Sequence, residues 1–502
     1  MHPLHDVVEL AFTGPFIPAT RTPLTVTFTH DGGTVVEVPG FWDGDDRYLA
    51  RFAPELTGRW TWACHSDEPA LDGATDGLDV GRARPGEHGP VRVAGTFHFA
   101  HVDGTPFRPV GTTAYNWFHQ EEPLYTETLD AISGAGFNKF RFMVFPQAGG
   151  YVEHFPDLLP FERGAHGRWD VARPVVEFFR RLDRAVLDLH ERGIQADICI
   201  FNAYDNGRFD LDTLTEDEDA CYLRYLVARL SAYPNVWWSL CNEFDILGDT
   251  RPDERWTRAG ELLAAVDPHD HLRSIHNMRR LYDNSRAWVT HASLQIGQAT
   301  EDFGRAGLLR DAYRKPVVLD EIKYEGDVPE RWGRLDAAQL VHQFWVATAS
   351  GCYASHGESF LRPDGSLHMV AGGRLLGESP ARLGFLHRIL EEIDGVGLDP
   401  IDNWWDDAFV VGIPREVYLQ YLGKGSPREW RFRLPRGYGS DDPAAGQEYR
   451  VDVIDTWDMT VIPVPGTFVV DRVEKNDAFA DGAPAVWLPV GRPLALRIRR
   501  AD

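Results

Sequence analysis

The pattern of apolar and polar positions changes twice along the chain. Residues 1 to 92 carry short alternating segments, LTVTFT at 24–29 and TVVEV at 34–38 among them. Turn-forming clusters such as Asp31-Gly32-Gly33 and Asp43-Gly44-Asp45 separate these segments. Period-two alternation between frequent turns predicts an antiparallel β-sandwich. The stretch GRARPGEHGP, ending at Pro90, reads as a linker. From 93 to 398, strand-like runs alternate with helical patterns, and strands are predicted at 107–112, 139–145, 196–201, 236–240, 272–276, 288–294, 316–319 and 351–355. In the clearest helix Val175, Phe178, Phe179, Leu182, Val186 and Leu189 recur at helical spacing, with Pro174 before it and Gly193 past its end. A second helix at 219–230 aligns Tyr222, Leu223, Leu226 and Leu230. Strands alternating with helices in this number predict a (β/α)8 barrel. A doubly wound sheet is the alternative, but no glycine-rich phosphate loop follows the first strand. From 399 to 502, segments such as EVYLQY, EWRFRL and YRVDVID alternate again. The predicted fold is α/β: a central barrel flanked by an N-terminal β-sandwich and a small C-terminal β-sandwich.

In such a barrel, reactive groups stand at the C-terminal ends of the strands. The fourth strand runs Val236-Trp237-Trp238-Ser239-Leu240-Cys241-Asn242-Glu243 and stops at a carboxylate. Counting by two puts Trp237, Ser239, Cys241 and Glu243 on one face. On the seventh strand the same count groups Val317, Leu319 and Glu321, and turns Asp320 toward the surrounding helices. On the second, Lys139, Arg141, Met143 and Phe145 share a face. Two glutamates and an arginine are thereby expected at one mouth. Acetal cleavage needs one carboxyl to protonate the leaving oxygen and a second carboxylate to attack or stabilise the sugar carbon. Arg141 would favour the ionised form of one glutamate, and an apolar surround would raise the pKa of the other.

Further residues cluster near strand ends. Trp117, Tyr204 and Tyr324 offer rings that stack on a sugar or pack in the core. Asn202 and Asp205 bind hydroxyls or turn their loop. His356 and Glu358 follow the eighth strand and are read as substrate contacts. Trp237 and Trp238 read as core, and His269 and His271 as solvated.

Composition narrows the partners. The net charge of −25 disfavours nucleic acid and anionic lipid, and no apolar run is long enough to span a bilayer. The five cysteines are scattered, with no CxxC pair, and read as buried thiols. The N-terminal segment lacks a signal-like pattern, so a cytoplasmic location is expected. The histidines show no HExxH or other tight metal spacing, so neither metal nor cofactor is expected. A homo-oligomer is compatible with the domain plan.

These residues carry a resemblance. Asn242-Glu243 closing strand four, Glu321 closing strand seven and Arg141 in strand two resemble the clan of retaining (β/α)8 glycoside hydrolases that includes the family 5 cellulases. Phe41-Trp42-Asp43-Gly44 and Gly58-Arg59-Trp60-Thr61-Trp62 resemble the uncharacterised β-sandwich found ahead of related endoglucanases. Gly111-Thr112-Thr113-Ala114-Tyr115-Asn116-Trp117 and Ser355-His356-Gly357-Glu358 resemble the apiosidase-like branch, and Val453-Ile454-Asp455-Thr456-Trp457-Asp458 is similar to its C-terminal β domain. The resemblance implies Glu243 as acid/base and Glu321 as nucleophile. It also implies that Asn242 binds the sugar 2-hydroxyl, that Arg141 holds Glu321 ionised and that His276 lines the reactive subsite, and Asn116 is read as a substrate contact. Two positions depart from the clan. His356 and Glu358 stand where many members end strand eight with Trp, and Gln295 stands where a Tyr usually ends strand six. The expected activity is exo-acting, retaining hydrolysis of small glycosides or oligosaccharides. The alternatives are a non-catalytic carbohydrate-binding protein, a transglycosylase and an inverting hydrolase.

Overall fold

The structure, a computed structural model, describes residues 1–147, 150–152, 155–164, 167–204, 207–301, 305–401, 409–436 and 442–501. The N-terminal region folds into two antiparallel sheets. One orders Val35–Pro39, Thr25–His30, Gly58–His65 and Thr75–Val80, and the other Val8–Thr13, Arg47–Phe52 and Phe41–Trp42. Alternate residues Val26, Phe28, Tyr48, Phe52 and Trp60 fill the space between them.

The barrel strands are β1 (Val110–Thr113), β2 (Lys139–Met143), β3 (Gln195–Asn202), β4 (Val236–Asn242), β5 (Arg273–Ser274), β6 (Ala292–Gln295), β7 (Val317–Glu321) and β8 (Tyr353–His356). They pair in parallel in the order β5-β4-β3-β2-β1-β8-β7-β6. A parallel bridge between His276 and Ser293, just past β5 and within β6, brings the two ends of this sheet together. Among the described residues the α-helices around them are α1 (Glu122–Ala135), α2 (Val176–His190), α3 (Glu216–Leu230), α4 (Asp253–Val266), α5 (Arg305–Tyr313), α6 (Ala337–Ala349), α7 (His368–Ala371) and α8 (Ser379–Glu391), with none between β5 and β6 and two after β8. The stripe read from sequence in α2 is the buried one, Phe178, Phe179, Leu182, Val186 and Leu189. Thr215 and Glu218 cap α3 reciprocally.

The predicted first strand divides in two. Pro106–Phe107 joins His98–His101 and Val91–Ala94 in a small antiparallel sheet, and β1 starts only at Val110. Pro109 offers no N–H between them, so the ladder cannot run through. Phe99 and Phe107 of this sheet meet Trp237, Leu272 and Val318, which close the barrel floor. His269 and His271 are buried rather than solvated, because Asp267 accepts from the His271 backbone N–H and lies 3.0 Å from its ring Nδ1.

Both flanking sandwiches are fastened to the helix layer. Arg51 donates to Asp183 of α2 (3.0 Å) and to the carbonyl of Arg229 in α3 (2.9 Å), and Arg229 donates to Asp43 (3.0 Å). The C-terminal sheet includes Phe409–Ile413, Val417–Tyr421, Leu494–Arg500 and Glu448–Asp455. Its Tyr421 ring stacks on Trp345 of α6 at 5.6 Å, and Arg382 of α8 lies 3.6 Å from the Trp457 ring.

Candidate active site

The two strand-end glutamates reach the mouth by different backbone devices. In β4, Trp237 points to the barrel floor, while Leu240 and Cys241 pack against the helices. Asn242 turns inward and accepts from Arg141 at 2.9 Å. Glu243 follows it in the left-handed region, with φ 51°. Strict alternation therefore ends at Cys241, which does not share a face with Glu243.

In β7, Val317 and Leu319 face the helices and Val318 faces the floor. Asp320 lies inside the barrel, where it accepts from Lys139 (2.8 Å), Ser293 (2.6 Å) and Ser355 (2.7 Å). The faces expected for Val317, Leu319 and Asp320 are thus reversed. The pairing with β6 slips between Ser293–Val318 and Gln295–Glu321, giving β7 one extra residue there. Such a bulge re-aims a side chain, and Glu321 turns toward the mouth directly after Asp320.

Below the mouth lies a closed charge layer. Lys139 bonds Asp197 and Asp320, and Arg141 bonds Asp197 at 3.1 Å and lies 3.8 Å from Asp320. All four are fully buried. The two cations balance the two carboxylates, as buried charges require. Arg141 makes its ion pairs here rather than with Glu321, on which it acts through its field.

Glu321 accepts a hydrogen bond from the Tyr115 hydroxyl and lies 3.9 Å from Nδ1 of His276. Burial raises its pKa, opposed by the Tyr115 hydrogen bond and the Arg141 charge. Glu243 accepts from the Tyr204 hydroxyl. Burial pushes its pKa up strongly, the nearby charge of Glu321 adds to the rise, and a hydrogen bond from Gln295 opposes it. Burial and the Arg141 charge hold His276 neutral. Both of its ring nitrogens and the Asn242 amide nitrogen are buried without a hydrogen-bond partner among the described residues. The arrangement offers one carboxyl biased to keep its proton, and a second with a phenol and a cation favouring its ionised form.

The other expected site residues divide. Tyr204 and Tyr324 stand beside the glutamates, Tyr324 buried against Glu321. Asn116 is tied to the backbone of Gln147 in both directions, and Asn202 bridges the Phe145 carbonyl and the Tyr204 N–H. These two hold loops at the rim. Trp117 is a core residue: it is fully buried, stacks on Tyr125 at 4.8 Å, and donates its indole N–H to the Tyr125 carbonyl. His356 and Glu358 turn away from the mouth. Ser355 is the inward residue of β8, so His356 faces out to stack on Phe137 at 5.1 Å. Glu358 accepts from the backbone N–H groups of Leu376 and Gly377. Asp205 lies outside the described residues.

Tyr115, which no sequence pattern marked as a site residue, sits two residues past the end of β1. Gln295 stands at the end of β6, where the resemblance implies a Tyr, and its side chain opposes the rise in the Glu243 pKa.

Residues 94–358 match the family described as "Apiosidase-like, catalytic domain". The chain belongs to that family. Its N-terminal residues 3–67 and C-terminal residues 404–499 match two domain families of unknown function, DUF5060 and DUF5605. The apiosidase-like chain is 32% identical to a candidate glycoside hydrolase of known structure from Bacteroides vulgatus ATCC 8482, over 99% of each chain and with a TM-score of 0.93. A glycoside hydrolase family 5 structure from the same organism shares the fold at 16% identity and TM-score 0.61, covering 82% of this chain and 93% of that one. No curated protein matches. The apiosidase-like chain is thus a (β/α)8 glycosidase, with carbohydrate as its substrate class. Among the described residues, no helix is long and apolar enough to cross a membrane.

Proposed function

We propose that this glycosidase cleaves small glycosides or oligosaccharides from one end by double displacement, with Glu321 as nucleophile and Glu243 as acid/base. The reading is carried by one observation: two buried carboxylates, directly after β4 and at the end of β7, each accept a hydrogen bond from a tyrosine hydroxyl. In the first step the Glu321 carboxylate bonds the anomeric carbon as the glycosidic C–O bond breaks, and Glu243 gives its proton to the departing oxygen. In the second, Glu243 takes a proton from water while that water's oxygen bonds the anomeric carbon, releasing Glu321. The unpartnered amide nitrogen of Asn242 would donate to a sugar hydroxyl next to the reacting carbon.

Enclosure of the glutamates supports end-wise action, since only 5% of Glu243 and 7% of Glu321 is exposed. Tyr151, beyond β2, hydrogen-bonds Glu330, beyond β7, at 2.8 Å, which ties the two loops together. Glutamates this enclosed would meet a chain end more readily than a chain middle. The five cysteines are free and buried, which suits the reducing cytoplasm.

The test is turnover of a panel of aryl glycosides, apiosides first, with proton NMR of the first-formed anomer. Retention at the anomeric carbon, with activity lost in Glu321→Ala, is expected. Initial inversion would remove Glu321 as nucleophile, and saturable sugar binding without turnover would replace the enzyme reading by a carbohydrate-binding one.

A further inference from the structure

A second pair of buried glutamates lies at the β7–β8 corner, apart from the reacting pair. Residues Glu325-Gly326 and Glu358-Ser359, just beyond β7 and β8, pair as a short parallel ladder with Glu325 opposite Glu358. Both side chains are almost fully buried. His356, also fully buried, faces the same space, and one ligand atom from each of the three lies within 4.8 Å of the others.

The imidazole is the informative member. Its Nδ1 lies 2.9 Å from the Thr112 hydroxyl, while its Nε2 is buried with no hydrogen-bond partner among the described residues. A nitrogen in that position otherwise forfeits the hydrogen bonds it made to water. When Nδ1–H donates to Thr112, Nε2 is left with a bare lone pair, on a ring that already has one nitrogen within 4.8 Å of a carboxylate oxygen from each glutamate. That is the tautomer a metal-binding histidine adopts, with its other nitrogen held by an outer hydrogen bond.

The carboxylates are oriented in the same manner. Glu325 accepts from the backbone N–H groups of Glu378 (2.9 Å) and Ser379 (3.1 Å) and from the Ser379 hydroxyl, and Glu358 from the backbone N–H groups of Leu376 (2.8 Å) and Gly377. These contacts use part of the acceptor capacity of each carboxylate and leave lone pairs for an ion. The cation nearest in effect, Arg362, directs its guanidinium to the carbonyls of Gly372 and Arg374 instead. Among the described residues, these two buried carboxylates side by side have no cationic side chain bonded to either.

We propose that Glu325, His356 and Glu358 bind one divalent transition-metal ion, of the Zn2+ or Mn2+ type, at the foot of α8. One imidazole and two carboxylates form a mixed nitrogen–oxygen set suited to such ions. The ion would join the ends of β7 and β8 to segment 376–379 and stabilise the folded state without entering the reaction.

The test uses the full chain, stripped with chelator and exchanged into metal-free buffer. Binding of Zn2+ and Mn2+ is titrated calorimetrically, metal content after reloading is measured by elemental mass spectrometry, and Tm is recorded with and without each ion. The expected result is one bound ion per chain and a Tm raised by about 2–5 °C at saturation. Glu358→Gln and His356→Gln should each lose stoichiometric binding and the Tm response. Because either variant risks misfolding, the wild-type chain supplies the decisive result. A stripped, folded wild-type protein that binds neither ion, with Tm unmoved, overturns the proposal. So does binding that survives both substitutions.

Discussion

Two pairs of buried glutamates sit at one end of the same barrel, and their surroundings separate them. Glu243 and Glu321 meet the side chains of Tyr204, Tyr115, His276 and Gln295. Glu325 and Glu358 meet mainly backbone N–H groups of segment 376–379. Phenols and an imidazole around a carboxylate can tune a proton and follow a reacting sugar. Backbone donors fix a carboxylate in place and fasten a loop. The residue type is the same in both pairs, and the partners decide between chemistry and architecture.

Substitutions test this contrast. Glu321→Gln should lower kcat about 10^4-fold or more, measured on whichever aryl glycoside the panel selects. Glu243→Gln should lower it about 10^2- to 10^4-fold for poor leaving groups, and much less for a nitrophenolate that departs without a proton. A comparable loss for both leaving groups would remove Glu243 as the acid.

The pH profile sharpens the comparison further. Activity requires Glu321 ionised and Glu243 protonated, so kcat/KM should fall on the acid side as Glu321 gains its proton and on the alkaline side as Glu243 loses its own. Tyr115→Phe deletes a donor that favours ionised Glu321, so the acid limb should move up by about one pH unit. Movement of the alkaline limb alone would mean that Tyr115 serves the other glutamate. The smallest effect on the profile belongs to the second pair. Glu358→Gln should leave both limbs where they are while lowering unfolding stability by about 1–3 kcal/mol, read from denaturant curves at neutral pH.

The sequence carried the architecture in its periodicities. The alternation in 24–29 and the apolar stripe of α2 became a sandwich strand and a buried helix face, because one covered face dictates each pattern. Strand ends were harder to read. Period-two counting assumes an unbroken pleat, but Glu243 occupies the left-handed region and β7 carries an extra residue opposite β6. Both glutamates reach the mouth for reasons that alternation does not encode, and Asp320 was turned outward by the same assumption. His356 and Glu358 were assigned to the mouth from their place in the chain. Their orientation depends on Ser355 facing Asp320 and on backbone N–H groups about twenty residues later, a contact no local pattern announces. Tyr115 was passed over for a related reason: its partner, Glu321, comes from the other end of the barrel domain.

The most direct measurement is to trap the first intermediate. A 2-deoxy-2-fluoro glycoside with a good leaving group slows the second step, and peptide mass spectrometry then locates the sugar. The account predicts a single ester on Glu321 and none on Glu243. An ester on any other residue, or hydrolysis with inversion and no covalent species, would contradict it.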